Sequence, residues 1–267
     1  MVANLKPRIG AVILAAGTSA RMGEAKQLLR LGEATVLNQV VNNVCGSSVD
    51  EIVIVLGHQA ETIKQSIATE SLKVVVNESY RQGMGTSLRA GLSALPSEVD
   101  AALIVLADQP FVRSATFDQI IDHYQQSNAQ IVIPVYKGFR GNPVLLDRSV
   151  FPEVMALTGD IGCRAIFGNH PEGIAKVPVE DIGILLDLDS KDDVARLQDF
   201  RNGTTVDGSA LEAADLEGRE IAGEGQPYQG PELTIVGRDS VAIALAKIGK
   251  LLRFVVTVVD PFLKSSD

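Results

Sequence analysis

A three-layer α/β/α domain on a mostly parallel, Rossmann-like sheet is predicted by three features of the 267-residue chain. Short apolar runs alternate with segments of helical period from residue 9 onward, the pattern of strands joined by crossover helices. Several runs, such as Glu51–Leu56 and Ala101–Leu106, are apolar along nearly their whole length, as strands covered on both faces must be. Finally, 46% of the chain is apolar, enough for a sizeable core.

The elements follow in order. The run IGAVIL opens the sheet, and Thr35 is placed to cap a helix whose Val36, Leu37, Val40, Val41 and Val44 share one face. Next come the strand EIVIVL, the helix AETIKQSI and the strand KVVV. The segment Gly83–Ser87 leads into the helix LRAGLSAL, with Thr86 or Ser87 expected as N-cap. After it come AALIVLA, the helix TFDQIIDHY, the strand QIVIPVY and a turn at Arg140–Pro143 before PVLL. Residues 185–189, LLDLD, read as strand-like, and Ser190 with Asp193 forms a capping box opening the helix DDVARLQDF. The expected domain covers residues 1–200.

Residues 201–232 are rich in glycine and acids and read as a linker. Residues 233–267 then show strand, helix and strand again, a small C-terminal βαβ unit of about 30 residues.

Lysine and arginine total 24 against 33 acids, a formal charge of −9, so no basic field exists to attract nucleic acid or an anionic membrane. Any phosphate-bearing ligand must meet a local cationic site. Cys45 and Cys163 match neither a zinc pattern nor a disulfide framework, which suits free thiols in a reducing cytoplasm. The apolar run Ile9–Ala16 is short for a signal peptide, and no stretch approaches the length of a membrane span. His58, His123 and His170 lack ligating spacing.

The loop LAAGTSARMGEAK, residues 14–26, carries the first chemical signal. Five residues separate Gly17 from Gly23 and Glu24 follows, so it is not a Walker loop, and the dinucleotide pattern G-x-G-x-x-G is also absent. What remains is a strand followed by small residues, Ala15, Ala16 and Gly17, which let a ligand approach main-chain N–H groups. Arg21 can grip phosphate oxygens in a fork and Lys26 can add a compact charge. Asp108 ends the strand ALIVLA, placing a carboxylate at the same C-terminal sheet edge.

These residues carry a resemblance. The loop, together with VVVNESYRQGMGTSLRAGL, LIVLADQPFV, GFRGNPVLL, ALTGDIGCRAIF and LLDLDSKDDVARL, is similar to the MobA-like nucleotidyltransferases, in particular their molybdenum cofactor cytidylyltransferase branch. The resemblance covers about residues 9–200. It implies transfer of CMP from CTP to the terminal phosphate of molybdopterin or its molybdenum-bearing form, with release of pyrophosphate. It also implies Mg²⁺ held by Asp108 and a second carboxylate aligned with Asp189, with Asp187 the alternative. The nucleotide would be met by Leu14, Ala15, Ala16, Gly17, Arg21, Lys26, Asn77, Gly85 and Ser87, and the acceptor by Arg140 and Asn142. Catalysis would fall to Arg21, Lys26 and Asp108. Asn142 stands where the family commonly has histidine in R-G-H-P, and Ser79-Tyr80 stands in place of proline-x-tryptophan. Residues 233–260 resemble the start of the Rossmann domain in XdhC/CoxI-type accessory proteins, with Asp239 replacing the second glycine of the turn. A molybdoenzyme client is the partner this implies. Two readings stay open beside it: a transferase for another phosphate-bearing small molecule, and a non-catalytic pterin chaperone. Clustering Arg21, Lys26 and Asp108 is unfavourable without phosphate or metal, which favours the enzyme. The choice of CTP over GTP is not legible in composition.

Overall fold

The computed structural model describes residues 6–19, 25–68, 72–188 and 193, and the backbone of two strands at 232–236 and 255–259. The chain divides into two compact units, residues 1–206 and 207–267.

In the first unit β1 (Ile9–Ala15) lies at the centre of an eight-stranded sheet. It pairs in parallel with β4 (Glu51–Leu56) on one side and β6 (Ala101–Leu106) on the other. Beyond β4 lies β5 (Lys73–Val76), also parallel. Beyond β6 comes β9 (Val144–Asp147), antiparallel to both β6 and β7 (Ile131–Tyr136). The sheet ends with β10 (Ile174–Pro178), parallel to β7, while the short β8 (Phe139–Arg140) pairs antiparallel with β7. The sheet is mixed and mostly parallel, as the near-continuous apolar runs require.

Helices cover both faces. α1 (Val36–Cys45) buries Val36, Leu37, Val40, Val41 and Val44, and the Thr35 hydroxyl accepts from the Asn38 N–H at 3.2 Å to cap it. α2 (Ala60–Ser66) and α4 (Ser114–Gln126) match their apolar periods. α3 (Met84–Ala94) packs with α5 (Phe151–Ala156) over Val12, Val53, Val55, Ala102 and Ile104. A Cβ on Gly91 would lie 2.2 Å from Val12 Cγ1, so glycine there lets α3 approach β1 closely.

Two local expectations are corrected. α3 begins at Met84 with Gly83 as N-cap, so Thr86 and Ser87 sit inside its first turns. Thr86 Oγ1 instead donates to Gly83 O at 2.9 Å, and Ser87 Oγ accepts from Asn77 Nδ2 at 3.0 Å. Gly83 carries φ +106, and a Cβ on it would lie 2.2 Å from Gly159 C, which ends the preceding 3-10 turn Tyr80–Gln82 abruptly and frees the helix to start early. The described part of LLDLD, residues 185–188, is not a strand, because a 3-10 turn over Ile182–Leu185 runs into irregular backbone at 186–188. Leu185, Leu186 and Leu188 are fully buried there, with Asp187 half-buried between the last two. The hairpin of β2 (Arg30–Leu31) and β3 (Ala34–Thr35), with Gly32 at φ +66, was too short to carry a periodic signal.

In the second unit β11 (Glu232–Val236) and β12 (Val255–Val259) pair in parallel, as a βαβ unit demands. The expected intervening helix, Asp239, residues 201–231 of the expected linker and the DDVARLQDF helix beyond Asp193 lie outside the described residues, while Glu232, expected to end the linker, already pairs in β11. No helix among the described residues is long and apolar enough to cross a membrane.

Candidate active site

Because β1, β4, β5 and β6 run parallel, their C-terminal ends meet at one sheet edge. Leu14 pairs with Leu106 across β1 and β6, so Ala16 and Asp108, two residues further on, emerge at the same level. Ala107 N donates to Leu14 O at 3.2 Å and closes that corner. An open cleft of about 650 Å³ lies there. Leu14, Ala16, Gly17, Thr18, Lys26 and Gln27 line one wall, Leu106, Ala107 and Asp108 the floor, and Tyr80–Met84, Ser87 and Asp160 the far side.

The ammonium of Lys26 lies 2.5 Å from Asp108 Oδ2, with both side chains about one-fifth exposed. Cation and carboxylate therefore share one partly dry corner, where a charge is less screened than in water. Their neighbours fix them. Lys26 N donates to Ser19 Oγ at 3.0 Å, and Asp108 O accepts from Leu188 N at 2.9 Å. The next residue, buried Gln109, donates through Nε2 to Asp187 Oδ1 at 2.6 Å and to Ile184 O at 3.3 Å. These bonds lay the 184–188 segment beside Asp108 and engage one oxygen of Asp187.

A hard divalent cation on a nucleotide takes one or two carboxylates and completes its shell with phosphate oxygens and water. Asp108, with Asp187 and Leu188 fastened next to it, fits that donor set. Among the described residues no group of three or more acidic, histidine or cysteine side chains forms a self-contained metal cage. Asp189 and Arg21, expected as metal ligand and phosphate fork, lie outside the described residues.

The remaining expected residues divide. Leu14, Ala16, Gly17, Lys26, Ser87 and Asp108 come together in the cleft lining. Ala15 is only 1% exposed and sits behind it. The Asn77 amide is fully engaged, donating to Thr86 Oγ1 at 2.8 Å and Ser87 Oγ at 3.0 Å and accepting from Ser79 N at 3.0 Å. It joins the end of β5 to α3. Gly85 packs against the 157–159 segment, donating to Gly159 O at 3.1 Å. Arg140 stacks 6.0 Å over Phe167, and Asn142 N donates to Ile184 O at 3.1 Å, the carbonyl that also binds Gln109. Neither residue lines the cleft.

Sequence reasoning missed Gln27, Gln109, Tyr80, Arg81 and Asp160. Tyr80 is braced by His58 Nδ1 at 3.4 Å, with Arg81 lying 5.7 Å over its ring, so an aromatic edge and a second cation face the cleft together. For Gln109, Tyr80, Arg81 and Asp160 the only advance signal was their position inside motifs already singled out, and Gln27 gave none.

Known proteins share this fold. Residues 11–174 match the model of the MobA-like NTP transferase domain. The chain is 26% identical over 188 residues to the molybdenum cofactor cytidylyltransferase of Escherichia coli K12, covering 69% of this chain and 93% of that protein. It is also 27% identical over 200 residues to the nicotine blue oxidoreductase of Paenarthrobacter nicotinovorans, covering 72% of this chain and 97% of that one. The crystal structure of Rv0371c from Mycobacterium tuberculosis H37Rv superposes with a TM-score of 0.66 at 31% identity, over 72% of this chain and 98% of that one. The same protein in complex with manganese superposes at 0.61 with 28% identity, over the same shares.

Proposed function

The chain belongs to the MobA-like NTP transferase family and is a nucleotidyltransferase, and from that premise we propose that it transfers CMP from CTP to the terminal phosphate of molybdopterin or molybdenum cofactor, releasing pyrophosphate. The observation that carries this is the Lys26–Asp108 pair at the mouth of β1 and β6, one charge suited to phosphate and the other to metal. The similarity to a molybdenum cofactor cytidylyltransferase over nearly that protein's whole length supports the choice of acceptor.

A phosphate oxyanion is already a nucleophile, so the reaction needs no general base. It needs in-line placement of the two phosphates and neutralisation of charge on the departing pyrophosphate. Small residues at Ala16 and Gly17 admit the nucleotide to the main chain, and Lys26, with Arg21, binds the triphosphate oxygens. Asp108 and Asp189 would hold Mg²⁺, which would supply Lewis-acid neutralisation of the developing phosphate charge. Tyr80 and Arg81 border the side from which the acceptor enters. The second unit is a partial XdhC-like Rossmann segment suited to a molybdoenzyme partner.

The test is pyrophosphate release with purified molybdopterin and CTP, GTP or UTP in the presence of Mg²⁺ or Mn²⁺. CTP-dependent release is expected. Release with CTP only when a sugar or alditol phosphate replaces the pterin would move the acceptor. Consumption of no nucleotide with any phosphorylated acceptor would leave the chaperone reading.

A further inference from the structure

We propose that Gln27 is the positioning residue that turns the main-chain N–H groups of the 14–18 loop toward the nucleotide. The inference rests on the nucleotidyl-transfer reading and names the device that prepares that loop. Gln27 is 2% exposed, and its Nε2 donates to Ala15 O at 2.9 Å and to Gly17 O at 3.4 Å. Two carbonyls can be met only by the amide nitrogen, so the orientation of the side chain is forced by chemistry. Its Oε1 then faces Ser19 Oγ at 3.5 Å, and Ser19 Oγ accepts from Lys26 N at 3.0 Å. Lys26, Ser19 and Gln27 thus close a ring of hydrogen bonds around the loop.

The consequence follows from the trans peptide, in which the N–H of each residue points opposite to the carbonyl before it. Holding Ala15 O and Gly17 O on one side aims the Ala16 and Thr18 N–H groups to the other. Ala16 O is likewise held, by His58 N at 3.4 Å, which directs the Gly17 N–H away from it. Among the described residues the N–H groups of Gly17 and Thr18 have no protein acceptor, and both residues line the cleft. The loop therefore presents donors and hides acceptors, a surface selective for a ligand rich in acceptor oxygens. Gln27 touches the loop and acts on the nucleotide through it.

The experiment compares wild type, Gln27→Leu and Ser19→Ala, each as the full chain, by calorimetric titration with CTP and Mg²⁺, thermal unfolding and steady-state kinetics. Gln27→Leu is expected to bind CTP about tenfold more weakly or worse, with nucleotide KM raised in step and kcat at saturating CTP close to wild type. Gln27→Glu should not rescue it, because a carboxylate cannot donate to the two carbonyls. Wild-type affinity for CTP in Gln27→Leu overturns the proposal, as does a fall in kcat and unfolding temperature with the CTP Kd unchanged. If Gln27→Leu does not unfold cooperatively, Ser19→Ala decides: about threefold weaker CTP binding is expected, and an unchanged Kd overturns the role. A wild-type chain that binds neither CTP nor GTP would instead remove the nucleotide reading itself.

Discussion

Lys26 and Asp108 stand 82 positions apart and meet at 2.5 Å, which makes them the most direct targets for substitution. Asp108→Asn is expected to lower turnover by about 10²-fold or more with the fold kept, read as pyrophosphate release beside a thermal melt. Lys26→Met removes a charged donor worth about 1.5–3 kcal/mol, so nucleotide KM should rise about tenfold or more. Retained turnover in the first variant would exclude Asp108 from the reaction. Away from the cleft, Tyr124 donates to Asp147 Oδ2 at 2.6 Å. Burial pulls the Asp147 carboxyl upward, but hydrogen bonds from Ser149 and Tyr124 outweigh it and leave the group below its ordinary value. Burial and the same partner push Tyr124 upward. A lowered carboxyl favours folding above the unfolded pKa of about 3.9 and loses that contribution as pH falls through the folded value. A raised tyrosine favours folding below about pH 10 and loses its contribution as pH rises through its folded value. Tyr124→Phe should therefore lower stability by about 1.5 kcal/mol near neutral pH and by less at pH 3, as urea titrations at the two pH values would read. Cys163 is buried and its thiol pushed up to about 12 by burial, so iodoacetamide at pH 8 should label the exposed Cys45 first. Equal labelling rates would contradict the burial.

α3 shows how an element turns such residues into a site. Its first residue follows Gly83, whose positive φ and contact with Gly159 and Asp160 admit no side chain. Gly83→Ala must shift either the helix start or the 158–160 loop, and both border the cleft. It is expected to raise nucleotide KM several-fold and lower stability by about 1–3 kcal/mol, measured by kinetics and thermal unfolding. Most elements were legible because their signal is local: the apolar period of α1 and its Thr35 cap need only neighbouring residues. The start of α3 was misjudged because Thr86 and Ser87 are strong capping types, while in the fold the Thr86 hydroxyl donates to the Gly83 carbonyl and the Ser87 hydroxyl accepts from Asn77 at the end of β5. Gln27 was invisible for the same reason, since KQLL gives no sign that the glutamine is buried against the carbonyls of β1 and its loop. Gln109 reaches Asp187 across 78 positions.

In the whole molecule, every described residue of the cleft belongs to the unit spanning residues 1–206. A fragment ending at Val206 should fold and keep nucleotide turnover within a few-fold of the full chain, as assayed by pyrophosphate release. Loss of turnover in a folded fragment would give residues 207–267 a part in the reaction. Most strand and helix identity, the small-residue loop and the Lys26 and Asp108 charges that meet in the cleft were readable along the chain, because periodicity and residue chemistry depend on near neighbours. The insertion of antiparallel β9, the early start of α3 and the division of polar side chains between ligand and scaffold were not. Those depend on which distant groups become hydrogen-bond partners once the sheet is assembled, and a buried donor such as Gln27 takes its role from the acceptors that surround it.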